Sequence, residues 1–228
     1  MTRDMNEDIE KVVFSEEELK KRIAELGKEI TEDYKDVKET SAIAKFFCKD
    51  DPTTALLAWT TTPWTLPSNV ALCVNAKEIY ATAKKDGQTY ILAEALVKNV
   101  LGETAEIVST CKGSDLVGTE YEPLFDLPVN FGNKKGYRVV ADDYVSLEDG
   151  TGIVHIAPAF GEDDSRVGKT WDLPFLQLVD ASGHMVGGTP WDGLFVKDAD
   201  KPVLDALKAS DKLFAALAFE HSYPFCWR

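Results

Sequence analysis

The chain has 228 residues, 44% of them hydrophobic and 28% charged, which suits one globular domain with a substantial core and a small appendage. Its formal net charge of −14 excludes a protein whose main affinity comes from wrapping phosphates, so any nucleic-acid contact is expected to be local or shared with a larger partner. Four scattered cysteines, Cys48, Cys73, Cys111 and Cys226, form no Cys-x-x-Cys pair, no apolar run reaches the roughly 20 residues of a membrane span, and the acidic N-terminus is not a signal peptide; reduced thiols in a soluble, cytoplasmic chain are expected.

Residues 1–34 differ from the rest. Ser15-Glu-Glu-Glu18 has the capping-box pattern, and Leu19, Ile23, Leu26 and Ile30 follow at helical spacing, so one amphipathic docking helix is predicted, weakened by Gly27. Asp8 through Tyr34 resembles the N-terminal start of bacterial hypoxanthine-type phosphoribosyltransferases. The phosphate-binding and catalytic motifs of that family are absent, so no such activity is inferred, and residues 1–34 are read as an appendage joined to a separate domain at 35–228.

From Lys35 onward the pattern is β-rich. Ser41–Cys48 alternates like a strand, Asp50-Asp51-Pro52 makes a turn, and Thr54–Trp59 is an apolar run that reads as a buried strand. Short strands come next at 70–74, 79–83 and 90–93, with Asp86-Gly87 as a hairpin turn, and then a short helix at 93–101 and strands at 105–110 and 137–141. Further on, a helix is predicted from Asp164 to Trp171, a strand from Phe175 to Val179, a turn at Pro190–Gly193 and a helix from Lys201 to Ser210.

Two stretches carry chemistry. Trp59-Thr-Thr-Thr-Pro-Trp-Thr-Leu-Pro-Ser-Asn69 begins where the buried strand ends. Pro63 lacks an N–H and biases Thr62 toward an extended conformation, so the strand stops by Thr62 and Pro67 is read as closing the loop. Thr60, Thr61 and Thr62 then present hydroxyls on a proline-braced corner able to hold a small polar ligand, and Asn69 adds an amide. Three threonines alone would mark no more than a strand edge. With two prolines and two tryptophans at fixed spacing, the reading favours a site.

The second stretch, Gly150-Thr-Gly-Ile-Val-His-Ile-Ala-Pro-Ala-Phe-Gly-Glu-Asp-Asp164, has a glycine turn, a β-branched strand bearing His155, a proline break and an acidic cluster. Asp164 at a helix start is expected to stay ionised and to bind a cation such as an α-ammonium. Alone, Asp164 reads equally as a helix cap, and a lone strand histidine is better read as a core residue bonded to a backbone carbonyl.

Together the two stretches resemble the editing domain inserted into isoleucyl-tRNA synthetases, with relatives in the valyl and leucyl enzymes, over roughly Lys35 to Arg228. The resemblance implies a β-rich α/β fold with a β-barrel-like core and short flanking helices. It also implies that Thr60, Thr61 and Thr62 contact the terminal adenosine and the misattached amino acid, that Asn69 and Thr65 bind substrate, that His155 faces the amino-acid side chain, and that Asp164 holds the α-ammonium. The implied reaction is hydrolysis of valine from isoleucine tRNA, and of valyl-adenylate, with tRNA and the rest of a synthetase as partners. The chain is expected to act as a monomer, without a cofactor; ATP belongs to the parent enzyme, because the adenylate-forming signatures are absent. In that family the final stretch leads back into a catalytic domain.

No Ser-His-Asp or Cys-His arrangement is legible, so a positioned water is the expected nucleophile, with a substrate ribose hydroxyl or a second water as base. Two rivals stand beside this reading. One is a metal-dependent hydrolase using His155, Asp163, Asp164, His184 or His221, whose spacing matches no standard zinc pattern. The other is a non-catalytic tRNA-binding module, which the acidic balance weakens.

Overall fold

The computed structural model describes residues 15–32 and 34–224. The chain divides into two units, one drawn from Met1–Glu39 and Glu220–Arg228, the other from Thr40–Phe219.

In the first unit α1 (Glu16–Glu32) forms where the capping box predicts it. The Ser15 N–H donates to the Glu18 carboxylate at 2.8 Å, and the Glu18 N–H donates to the Ser15 hydroxyl at 3.2 Å. Its apolar stripe is open to solvent: Leu19, Ile23 and Leu26 are 50%, 67% and 40% exposed.

The second unit is a sheet-rich α/β body. Its strands are the inner part of β1 (Tyr34–Phe47), then β2 (Thr54–Thr60), β3 (Ala71–Val74), β4 (Ile79–Lys85), β5 (Gln88–Ala93), β6 (Glu106–Lys112), β7 (Arg138–Ala141), β8 (Val154–Ile156) and the inner part of β9 (Leu213–Pro224). They run in the order β6-β4-β5-β2-β8-β3-β7, with β1 added to β2 and β9 to β1. β2 is the hinge of this arrangement. One edge pairs antiparallel with β1 from Ala55 to Thr60, while the other pairs parallel with β5 at residues 54–56 and then with β8 at Trp59. A strand that exchanges neighbours along one edge cannot stay flat, and the sheet curls into a half-barrel whose rim lies at the Trp59 end of β2.

β2 reads as an unbroken apolar run because both of its faces are covered. Leu56 and Ala58 enter one core with Leu72, Phe46, Tyr121 and Leu66, whereas Ala55 and Leu57 enter a second with Ile43, Leu92 and Leu101. A third core joins Ala71, Cys73 and Ile156 to Val167 of the helix α4 (Glu162–Thr170). The helix α5 (Val196–Ala209) closes the first core with Ala199, Val203 and Leu207, four residues apart. Two short helices, α2 (Val97–Leu101) and α3 (Gly113–Leu116), complete the set among the described residues.

The β4–β5 hairpin turns at Asp86 and Gly87, both at positive φ, as a two-residue turn of this hand requires. Three expectations are corrected. Phe175–Val179 is not a strand: Phe175 is 65% exposed, and the segment makes one isolated bridge, Val179 to Met185. α5 runs from Val196 to Ala209, starting five residues before the expected Lys201, so that Pro202 lies inside it. α4 starts at Glu162, so Asp164 is its third residue. Cys48, Cys73 and Cys111 are free thiols, and Cys226 lies outside the described residues. No described helix is long and apolar enough to cross a membrane.

Candidate functional site

β2 ends at Thr60, and the chain does not open into a loop there. Pro63–Ser68 winds into a 3-10 turn with Pro63 at its start, where a missing N–H costs nothing, and Pro67 lies inside the turn instead of closing the loop after it. The turn carries the threonines in a hydrogen-bonded row. The Thr62 N–H donates to Thr60 Oγ1 at 3.1 Å, the Thr62 and Thr65 hydroxyls lie 3.3 Å apart, and Thr65 Oγ1 is 3.0 Å from His155 Nε2. The Thr65 hydroxyl also lies 2.8 Å from the Thr62 carbonyl, where it can only donate. Its one proton is therefore committed, and Nε2 carries the imidazole proton and donates to Thr65.

His155 sits on β8, opposite Leu72 of β3, and is buried. Burial lowers its pKa from 6.5 to about 4, so the ring is neutral at pH 7. Its other nitrogen, Nδ1, is buried without a protein partner. A neutral ring at this pKa is a poor general base and a good wall carrying one acceptor.

Asp164 reaches back from α4 to the end of β8, where its Oδ2 accepts the Ala157 N–H at 2.9 Å. Gly161, just before the helix, makes the close approach possible: a Cβ there would lie 3.2 Å from the Asp164 carboxyl carbon. The carboxyl is still mainly ionised at pH 7, with a smaller margin than a helix start alone would give. Desolvation raises its pKa from 3.8 to about 6, the Ala157 N–H opposes this, and Asp163 adds to it. The nearby Arg166 does not offset this. Its guanidinium is bonded to Asp142 at 2.6 and 3.1 Å and to Asp163 at 2.9 Å. Asp164 is thus a half-buried acid held in place by one backbone donor, an environment that a cation would relieve.

The two sequence stretches meet directly. The Trp64 and Phe160 rings pack edge to face at 5.1 Å, and the Val70 N–H donates to the Ile156 carbonyl. Asn69 is buried, with its Nδ2 donating to the Ala71 carbonyl and its Oδ1 accepting the Tyr121 hydroxyl at 2.7 Å. Thr61 is half-buried beside them.

Sequence reasoning missed several neighbours. A cavity of about 240 Å³ is lined by Trp59, Tyr144, Thr151, Gly152 and Val154, and a second of about 370 Å³ lies against Trp59, Asn99, Asp149 and Phe214. Gly150 and Gly152 are both at positive φ and both tightly packed: a Cβ on Gly150 would lie 2.8 Å from the Trp59 ring, and one on Gly152 would lie 2.4 Å from the Ala93 Cβ. The glycines flanking Thr151 were the available sequence signal. As for the metal reading, among the described residues no three His, Cys, Asp or Glu side chains gather into a metal-binding group, and the His221 side chain lies outside them.

No protein-family model matches the chain. Its sequence relatives are isoleucine–tRNA ligases. That of Clostridium novyi (strain NT) is 50% identical over 201 residues, covering 88% of this chain and 19% of the relative, and that of Bacillus thuringiensis (strain Al Hakam) is 45% identical with the same coverage. The chain therefore spans about a fifth of the length of these relatives. Solved structures with the same fold include GlLeuRS-CP1 (TM-score 0.60, 16% identity, 77% of this chain and 97% of that one) and the P. knowlesi cytosolic leucyl-tRNA synthetase editing domain (0.55, 14%, 81% and 97%). The fold is that of a synthetase editing domain.

Proposed function

We propose that this chain is the editing segment of an isoleucyl-type synthetase and hydrolyses the ester of misacylated tRNA, with Val-tRNA(Ile) as its substrate. The observation that supports this reading best is the coincidence of half-identity to isoleucine–tRNA ligases with the fold of an editing domain. The chemical need is plain. A binding pocket gains only about 1–3 kcal/mol from one methylene, isoleucine against valine being the standard case, so a second site must remove the smaller amino acid.

In this reading the α-ammonium of the aminoacyl ester pairs with Asp164 and offsets the cost of keeping that carboxylate ionised while half-buried. His155, held by Thr65, walls the side-chain pocket, and the Thr60, Thr61 and Thr62 corner holds the terminal ribose in place, while Asn69, buried with its amide bonded to Ala71 and Tyr121, braces that corner instead of touching substrate. Water adds to the ester carbonyl carbon, the carbon–oxygen bond to the ribose breaks, and the ribose oxygen takes a proton. The products are the free amino acid and an intact tRNA 3′ end. No step uses a metal or cofactor, and ATP is needed only by the full-length synthetase, which also supplies most of the tRNA contacts. The site of action is the cytoplasm, and the chain works as a monomer within that enzyme.

The test is deacylation of Val-tRNA(Ile), Ile-tRNA(Ile) and Thr-tRNA(Val) by the chain and by Asp164→Ala, with a chelator present. Selective loss of valine, at least a hundredfold slower in the variant, is the expected result. Equal rates for parent and variant would overturn the role of Asp164. Loss of activity in the chelator would restore the metal reading.

A further inference from the structure

The threonine-bearing turn has an end problem that its own residues do not solve. Pro63 and Pro67 have no N–H, and the Thr65 N–H is used within the turn on the Thr62 carbonyl at 2.9 Å. Trp64 is left as the first-turn donor, and Thr62, which stands at the cap position, makes no side-chain bond to it because its hydroxyl faces Thr60 and Thr65. A turn whose capping residue is engaged elsewhere is expected to fray at this point.

The missing cap comes from a residue 136 positions away. Asp200 Oδ1, on α5, accepts the Trp64 N–H at 2.9 Å. α5 is in turn seated on the same core as the turn, through Ala199, Val203 and Leu207 against Leu66. Trp64 lies between Thr62 and Thr65, the two residues that link the threonine row to His155. Its ring is also the one that meets Phe160. A carboxylate at this point opposes the positive end of the turn and fixes where both hydroxyls sit.

We infer that Asp200 is a positioning residue for the site: a long-range cap that holds the turn, and through it Thr62, Thr65 and His155, in the geometry used on substrate. It touches no reacting atom and acts through the Trp64 N–H. The inference rests on the deacylase reading for its kinetic consequence, though not for its structural one. Nothing adjacent in sequence announces it, since Asp200 stands among the ordinary polar residues of a surface helix.

Two variants separate the bond from the bulk of the side chain. Asp200→Asn keeps an acceptor oxygen and Asp200→Ala removes it. Hydrogen exchange at the Trp64 amide, read by NMR on the free chain, is expected to accelerate at least tenfold in Asp200→Ala and to stay near the parent rate in Asp200→Asn. Deacylation kcat is expected to fall on the order of tenfold to a hundredfold in Asp200→Ala with KM little changed, and to recover in Asp200→Asn, because misplaced groups lose rate before they lose binding. Thermal unfolding of each variant corrects for any loss of folded protein. Unchanged Trp64 exchange in Asp200→Ala would overturn the inference outright. Faster exchange with unchanged kcat would reduce Asp200 to a structural cap. A parent chain that hydrolyses no ester while showing the exchange pattern would instead refute the deacylase reading and leave the cap standing.

Discussion

Asp164 is the residue at which function and stability oppose each other. An isolated carboxyl has a pKa of 3.8, and burial raises it to about 6 in the folded chain, so the folded state binds more protons than the unfolded one between those values. Stability contributed by this group therefore falls as pH rises from about 4 to about 6, and above that the full cost of an ionised, half-buried carboxylate is present, up to about 3 kcal/mol. Replacing Asp164 by Asn keeps an acceptor for the Ala157 N–H and removes the charge. The Asn variant is accordingly expected to unfold at a higher temperature than the parent at pH 7.5, with the advantage shrinking toward pH 4, while its deacylation is lost. In the parent, kcat/KM is expected to fall about tenfold per pH unit below about 6 as the free carboxyl takes its proton. Calorimetry from pH 4 to 8 with a matching pH–rate profile checks both, and a parent protein that outlasts the Asn variant at pH 7.5 would show the carboxylate to be stabilised by something other than a future ligand. His155 has the opposite sign of burial effect and no charge to lose near neutrality, so it adds no inflection between pH 6 and 8; loss of rate toward pH 8 would report the substrate's own α-ammonium.

At the scale of elements, the 3-10 turn after β2 is held at both ends by residues remote in sequence, Asp200 at its start and Tyr121 at its end. Tyr121 is fully buried and donates to Asn69 Oδ1. Tyr121→Phe would leave that amide oxygen buried without its donor, and a loss of about 1–3 kcal/mol is expected in urea unfolding, with the slope of the transition unchanged. A near-zero loss would mean that the amide reorients onto another partner. These two anchors also show what was legible in the sequence. Thr54–Trp59 was readable as a buried strand because both faces are covered, and Asp86-Gly87 as a hairpin because the turn needs positive φ at both positions. Phe175–Val179 misled because an apolar run need not pair: Phe175 stays exposed and only Val179 makes a bridge, to Met185; the helix predicted from Lys201 begins five residues earlier, at Val196. Thr60, Thr61, Thr62, Asn69, His155 and Asp164 could be named from two local stretches. That Thr65 and His155 bond to each other, or that Asp200 caps Trp64, could not, since such pairs depend on the register of β8 against β3 and on where α5 lands.

For the whole molecule the governing quantity is charge. With Asp and Glu outnumbering Lys and Arg by 39 to 25, the chain offers no broad surface on which an RNA backbone would displace many counterions. Several of its cations are already paired: Arg166 with Asp142 and Asp163, Lys45 with Asp211, Lys134 with Asp172. If only the single-stranded 3′ end is engaged, two or three phosphate contacts are the expected number. The slope of log kcat/KM against log salt should then be about −2, compared with values far steeper for proteins that grip a duplex. Deacylation rates from 50 to 300 mM salt measure it directly. A slope steeper than about −5 would demand a basic surface that this composition does not supply, and would overturn the view that only the 3′ end is engaged. A slope near −2 with a high KM would fit a segment spanning a fifth of its relatives, whose grip on the tRNA body comes from the remaining four fifths. On the proposed deacylase reading, the acidic balance would then have a use of its own: it would keep the tRNA body from settling on this segment, so that residence would depend on the 3′ end and on the ammonium proposed to pair with Asp164.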